Sequence, residues 1–199
     1  MEDRADWLTT ITRLAEEAGA LILDIYHSEF DVREKGDGSP VTMADEAAEA
    51  HIMAGLRHLT PDIPAVGEEE ASQGIRVDVG TAPFWLVDPL DGTKEFINKR
   101  DEFTVNIALV ENGQPTMGVV HVPAQDITYA AGGPGTATRR QGEADIYPRY
   151  GNTMEWDTAA GHAVLAAAGG SVRTLDGEPL SYGKDGFLNP EFIAQGDDS

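Results

Sequence analysis

The stretch Trp85-Leu86-Val87-Asp88-Pro89-Leu90-Asp91-Gly92-Thr93-Lys94-Glu95-Phe96 constrains this chain more than any other. Residues 84–87 are an unbroken apolar run, the mark of a strand buried on both faces, although a buried helix segment can show the same pattern. Pro89 argues for the strand, because it pushes Asp88 out of the α region and has no N–H for a ladder. A buried strand then ends on a carboxylate, the chain turns, and a second carboxylate follows three residues later. Gly92 permits close backbone approach, and Gly92 and Thr93 offer N–H groups that can hold an anion. Taken alone, Asp-Pro-Leu-Asp-Gly is equally well a plain turn. Other acids must decide.

Residues 4–28 read as an amphipathic helix through Trp7, Ile11, Leu14, Ala15, Ala18, Ile22 and Ile25. A second helix opens at Val41-Thr42-Met43-Ala44-Asp45, runs through Ala48, Ile52, Leu56 and Leu59, and stops at Thr60-Pro61. Asp45 suits the first turn of that helix whether or not it has another role. Glu68 follows Pro64-Ala65-Val66-Gly67, the layout of a side chain presented from a strand end. Glu69 and Glu70 read as a solvated face or helix start, and residues 71–83 as a surface loop. Three runs, 103–110, 116–122 and 127–130, predict an antiparallel meander. Residues 154–170 predict a helix of small residues with Asp157 near its start, either as a cap or facing a site. Residues 171–175 read as strand and 181–199 as a surface tail.

Composition closes off several function classes. The charge of −21, from 35 acids against 14 bases, repels nucleic acid and anionic membrane, whose phosphates need Lys and Arg. With no cysteine there are no disulfides, thiolate metal sites or cysteine nucleophiles. No apolar run is long enough for a membrane span, and the acidic N-terminus lacks a signal-peptide core, so the expected compartment is the cytoplasm. Gly132-Gly133-Pro134-Gly135 is not a dinucleotide loop, and His51 and His58 fit a helix surface.

Brought together, Glu68, Asp88, Asp91 and Asp157, with Asp45 behind them, would repel one another unless cations were present. Oxygen ligands without Cys or His select Mg²⁺-like ions. One carboxylate shared by two ions about 3.5–4 Å apart gives a site for in-line phosphoryl displacement. Thr93 and Asp45 then suit a water-orienting role, and the N–H groups of Gly92 and Thr93 suit phosphate oxygens.

The run Asp88 to Phe96, with Gly67-Glu68-Glu69 and Trp156-Asp157-Thr158-Ala159-Ala160-Gly161, resembles the inositol monophosphatase superfamily of Mg²⁺-dependent, lithium-sensitive phosphatases. Lys94-Glu95, Asp145-Ile146-Tyr147-Pro148-Arg149, Met154-Glu155-Trp156 and Gly183-Lys184 with Phe187-Leu188-Asn189-Pro190 are most similar to its bacterial 3′(2′),5′-bisphosphate nucleotidases. The resemblance implies an α/β fold, a layered α-β-α-β-α sandwich in one domain. A half bearing the metal site would run to residue 140, and a shortened half from 141. It implies two or three Mg²⁺ ions, with Glu68, Asp88 and the Leu90 carbonyl on the first and Asp88, Asp91 and Asp157 on the second. Asp45 and Thr93, with Glu68, become the catalytic set, and Glu68, Leu90, Asp91, Gly92, Thr93 and Asp157 the substrate contacts. The implied reaction is hydrolysis of 3′-phosphoadenosine 5′-phosphate to AMP by a cytoplasmic homodimer inhibited by Li⁺. A broader inositol- or sugar-phosphate phosphatase, or a metal-binding remnant without turnover, are the alternatives. The family continues past Thr136-Ala137-Thr138-Arg139-Arg140 through further elements, whereas here Gln141 leads directly to Gly142. At least a strand–helix–strand unit, on the order of 30 residues, is missing from the half that helps wall the substrate pocket.

Overall fold

The computed structural model describes residues 4–36, 38, 40–137 and 146–196. The first amphipathic stretch is α1 (Arg4–Tyr26), and its Ile11, Leu14, Ala15, Ala18 and Ile22 face is buried. A two-stranded ribbon, β1 (Val32–Glu34) against β2 (Pro40–Thr42), leads into α2 (Met43–Leu59). Gly55 lets the two helices close, since a Cβ there would stand 2.4 Å from Leu14 Cδ2.

These helices cover one face of a five-stranded sheet of order β3-β4-β5-β6-β7. Its strands are β3 (Ala65–Gly67), β4 (Phe84–Asp91), β5 (Thr104–Glu111), β6 (Gln114–Val122) and β7 (Ile127–Ala131). β4 to β7 form an antiparallel meander, one strand longer than the three runs predicted, and β3 joins β4 in parallel. Odd and even residues of β4 separate the two faces. Trp85 and Val87 point to the α1–α2 core, and Phe84 and Leu86 to a second core on the opposite side. β4 runs three residues past the predicted end at Asp88 and passes through Pro89 because its register against β5 shifts between Asp88 and Asp91. That irregularity spares the ladder a missing donor and re-aims the two carboxylates.

The opposite face is covered by α5 (Glu155–Ala167), which packs on β5 and β6. A Cβ at Gly118 would lie 2.6 Å from the Ala160 carbonyl oxygen and 2.8 Å from Ala163 Cβ, so the small residues of α5 serve close contact with β6. A three-stranded antiparallel sheet of order β8-β10-β9 follows: β8 (Ile146–Arg149), β9 (Ser171–Thr174) and β10 (Phe192–Gln195). It meets α5 through β9. Among the described residues no outer helical layer follows.

The predicted surface tail is a correction. Tyr182, Asn189 and Phe192 are buried, and β10 is the middle strand of the small sheet. Glu155, fully buried, accepts from Gly183 N at 2.6 Å and Lys184 N at 3.0 Å and pairs with Lys184 Nζ at 2.7 Å. Asn189 Nδ2 donates to Met154 O and to Thr158 Oγ1, both at 2.9 Å. The stretch is polar in composition because it supplies these anchors, and its few apolar residues are spaced to reach the second core.

Candidate active site

The acids stand on four elements, at the starts of α2, α3 and α5 and toward the end of β4. At the start of α2, Thr42 caps the helix by accepting from Ala44 N at 3.1 Å. Asp45 Oδ2 accepts from Thr42 N and Thr42 Oγ1, each at 2.8 Å. Its other oxygen stands 3.1 Å from Thr93 Oγ1. One oxygen of this carboxylate, which is 1% exposed, thus serves the helix start and the other faces Thr93.

Glu68 opens the short helix α3 (Glu68–Ser72) directly after β3. What places it is Glu49 on α2, a residue the sequence reading passed over. Glu49 is 4% exposed and accepts from Glu69 N and Glu70 N, both at 2.8 Å, so it binds the otherwise open N–H groups of α3. Its position one turn after Asp45, inside the apolar stripe, was the available signal. Gly67 makes room for it, because a Cβ there would stand 2.3 Å from Glu49 Oε2. Gly67→Ala is accordingly expected to cost about 1–3 kcal/mol and to lower turnover through Glu68. Urea unfolding beside an activity assay checks this, and an undisturbed protein would refute it.

Asp88, 1% exposed, accepts from Leu90 N at 3.0 Å. Gly92 at φ +95 turns the chain out of β4 into α4 (Thr93–Ile97). A side chain there would meet the Glu102 carbonyl at 2.8 Å. Thr93 Oγ1 sits between Asp45 and the Leu90 carbonyl oxygen, which is 3.2 Å away. From the opposite layer Asp157, in the first turn of α5, accepts from Met154 N at 2.8 Å, the capping contact that the sequence allowed it.

Electrostatics tie these groups together. Burial, then the charges of Glu68, Asp91 and Asp157, push Asp88 well up. Asp91, at the exposed mouth, is held up at about 6 by desolvation and Glu68. Asp157 is held at about 7 by burial, with Asp91 and Glu68 adding to it against the Met154 N–H. Burial also raises Asp45. Of the two readings of Glu69, a solvated face or a helix start, the structure gives the helix start, with the residue 4% exposed and raised to about 7 by burial. Lys35, also missed, explains it. Its Nζ lies 2.6 Å from Glu68 Oε1 and 2.6 Å from Glu69 Oε1. Desolvation opposes that ammonium, but the two carboxylates outweigh it and push its pKa up. Glu70, by contrast, reaches out to Arg57 at 2.8 Å.

Among the described residues no three of these side chains close on one point, and Lys35 satisfies part of the negative charge. The donor set is nonetheless all oxygen, crowded and mutually repelling, the situation a hard divalent cation relieves. Beside Glu68 opens a cavity of about 710 Å³ lined by the apolar Val79, Trp156 and Phe187 and by Lys35 and Lys184. The part of the motif at Asp145, and the join at Gln141, lie outside the described residues.

Acids gathered from strand ends and helix starts around a threonine, on a layered α/β sandwich, are those of a phosphatase, a hydrolase. The model of the inositol monophosphatase family matches residues 3–141 and again 137–196, and the chain belongs to that family. The match is split in two, and its pieces meet at residues 137–141, around the join read in the sequence. The 3′(2′),5′-bisphosphate nucleotidase CysQ of Escherichia coli strain K12 is 39% identical over 242 aligned positions, covering 93% of this chain and 98% of the relative. Since the chain has only 199 residues, at least 43 of those 242 positions have no counterpart here. CysQ of Buchnera aphidicola is 35% identical, covering 94% of this chain and 92% of its own. Among solved structures, CysQ of Bacteroides thetaiotaomicron is similar at TM-score 0.80 and 30% identity, covering 100% of this chain and 99% of that one. The Thermotoga maritima IMPase shares the fold at TM-score 0.79 and 22% identity, covering 96% and 92%.

Proposed function

We propose that this chain is a single-domain, Mg²⁺-dependent phosphomonoesterase that hydrolyses 3′-phosphoadenosine 5′-phosphate to AMP and phosphate, in the cytoplasm and as a homodimer. The observation that carries this reading is the cluster of Asp88, Asp91 and Asp157, whose carboxyl pKa values burial and mutual charge raise, beside Glu68 and the Asp45–Thr93 pair. The similarity to bisphosphate nucleotidases supports the substrate. Glu68, Asp88 and the Leu90 carbonyl would hold one ion, and Asp88, Asp91 and Asp157 another. When bound, such ions lower the pKa of water and neutralise the phosphate and its leaving oxygen. Asp45 accepts from the Thr93 hydroxyl and so fixes it toward the attacking water. The Leu90 carbonyl is held in place by the bond from Leu90 N to Asp88. Gly92 and Thr93 present N–H groups to phosphate oxygens at the mouth.

Phosphate release from 3′-phosphoadenosine 5′-phosphate and from inositol 1-phosphate, with and without Mg²⁺, tests this. Release that needs Mg²⁺, prefers the nucleotide and is suppressed by Li⁺ is expected. Preference for inositol 1-phosphate would move the reading to a broader phosphatase, which the shortened pocket favours. A folded protein releasing nothing from either leaves a metal-binding remnant.

A further inference from the structure

The cavity beside Glu68 is far larger than cations need: about 710 Å³, in the range of pockets that take small organic molecules. Among the described residues its lining comes from Lys35, from residues 66–80 and from two stretches, 154–156 and 183–187. The join at Gln141 contributes nothing to it. Its aromatic side is Trp156, in the first turn of α5 beside Asp157, with Phe187, whose ring lies 6.0 Å away at 41°. Phe187 is held at φ +54, a left-handed backbone rare for so large a side chain, between the cavity and the ring of Phe84 at 6.4 Å. Half-exposed Ile75 and Val77 add apolar wall from residues 75–79, which have no regular structure. Among the described residues, the backbone N–H and C=O groups of Arg76, Val77 and Asp78 make no hydrogen bond within the protein.

The charges at this opening cancel. Lys35, Arg76 and Lys184 stand against Glu68, Asp78 and Asp185, in a protein of net charge −21. An anion gains little there, because Lys35 is already paired with Glu68 and Glu69, and Lys184 with Glu155. A cation is better held by the neighbouring acids. An acyl chain would cover the open backbone groups of 76–78 without pairing them. A neutral planar ring with donors and acceptors on its edge meets every condition, since its face suits the aromatic side and its edge suits an unpaired backbone.

We propose that this cavity binds the planar base of a nucleotide, its face against Trp156 and Phe187 and its edge on the backbone of residues 76–78. Glu68 belongs both to this wall and to the acid cluster, so a base seated here leaves its sugar phosphate beside the cations. This extends the nucleotidase reading above. It gives a preference for nucleotides a source that does not depend on the shortened half.

Adenosine, which has the base and no phosphate, is titrated into the metal-free protein in EDTA and followed through the indole N–H resonances of Trp7, Trp85 and Trp156. Trp156 is expected to shift saturably in the millimolar range while the other two stay, and ribose alone is expected to move none of them. Phe187→Leu keeps apolar bulk without the ring and is expected to weaken adenosine about three- to tenfold. Ile75→Ala, at a half-exposed position, is expected to weaken it by less, and keeps the test open if Phe187→Leu does not fold. In Mg²⁺, the ratio of kcat/KM for 3′-phosphoadenosine 5′-phosphate to that for inositol 1-phosphate is expected to fall with adenosine affinity, chiefly through KM. A weakened adenosine with an unchanged ratio still supports the site and makes its occupant a separate nucleotide. No saturable shift of Trp156 overturns the assignment, as does an adenosine affinity indifferent to both substitutions. A wild-type protein that hydrolyses neither substrate defeats the nucleotidase reading instead, and the adenosine titration still judges the cavity.

Discussion

Asp88→Asn is expected to abolish Mg²⁺-dependent phosphate release, by about a thousandfold or more, while making the metal-free protein harder to melt at neutral pH. Both effects come from one atom position. Asp88 is 1% exposed and crowded by Glu68, Asp91 and Asp157. In the proposed reaction it is the carboxylate shared between cations, so losing its charge removes ligation that nothing nearby replaces. Without cations the same charge is a liability, because folding must either bury it among like charges or protonate it. Asparagine keeps an oxygen for the Leu90 N–H, which is 3.0 Å away in the wild type, and removes the charge. Each kcal/mol recovered is worth about 2–4 °C in a domain of this size. Initial rates in Mg²⁺ and calorimetric melting in EDTA check the pair. Wild-type turnover in the variant, or a lower metal-free melting temperature, would sink the idea that this cluster is built for cations.

The metal-free protein is also expected to lose several kcal/mol of stability as pH rises from about 4 to about 7, and Mg²⁺ to restore it. Unfolded carboxylates titrate near 4. In the folded chain Glu49, Glu69 and Asp157 are held at about 7, and Asp45 and Asp88 are raised too. The folded state therefore keeps protons that the unfolded state has already released. Its advantage is complete below about pH 4 and is lost as pH passes through those folded values. Asp91 adds little, being exposed. His162, held down at about 4 by burial, and His121, lowered by the same cause, act in the opposite direction but are two groups against five. A cation at a hundred times its dissociation constant adds about 2.7 kcal/mol per site. Urea unfolding across this range, in EDTA and in Mg²⁺, measures both. A metal-free stability that is flat or rising with pH contradicts the expectation, as does indifference to the cation.

Much of this was legible in the chain. The apolar run before Asp88 and the alternation of 103–110 fixed the central strands, because period and propensity there agree with burial. Asp45, Glu68, Asp88, Asp91, Thr93 and Asp157 stood out since each sits at an element boundary, where local rules leave a polar side chain free for other work. Glu49, Lys35 and Glu69 did not stand out. Glu49 lies inside a helix that reads as apolar, and Lys35 and Glu69 look like surface charges until a contact across 34 positions joins them. The segment around β10 was hidden for a different reason. Its burial comes from anchors in α5, and no window of its own residues contains them.

The order of the small sheet bears on how the protein is made. β8 and β9 leave the ribosome first, yet they are never neighbours; the strand between them, β10, is synthesised after both. Until it arrives, β9 is held only by the return of the chain at Glu178 and Leu180, and among the described residues β8 has no strand to hold it in register. The large five-stranded sheet can be arranged early, while the small sheet closes only once β10 is made. A nascent chain would thus build the strand that carries Asp88 and Asp91 well before the sheet that packs behind α5 is closed.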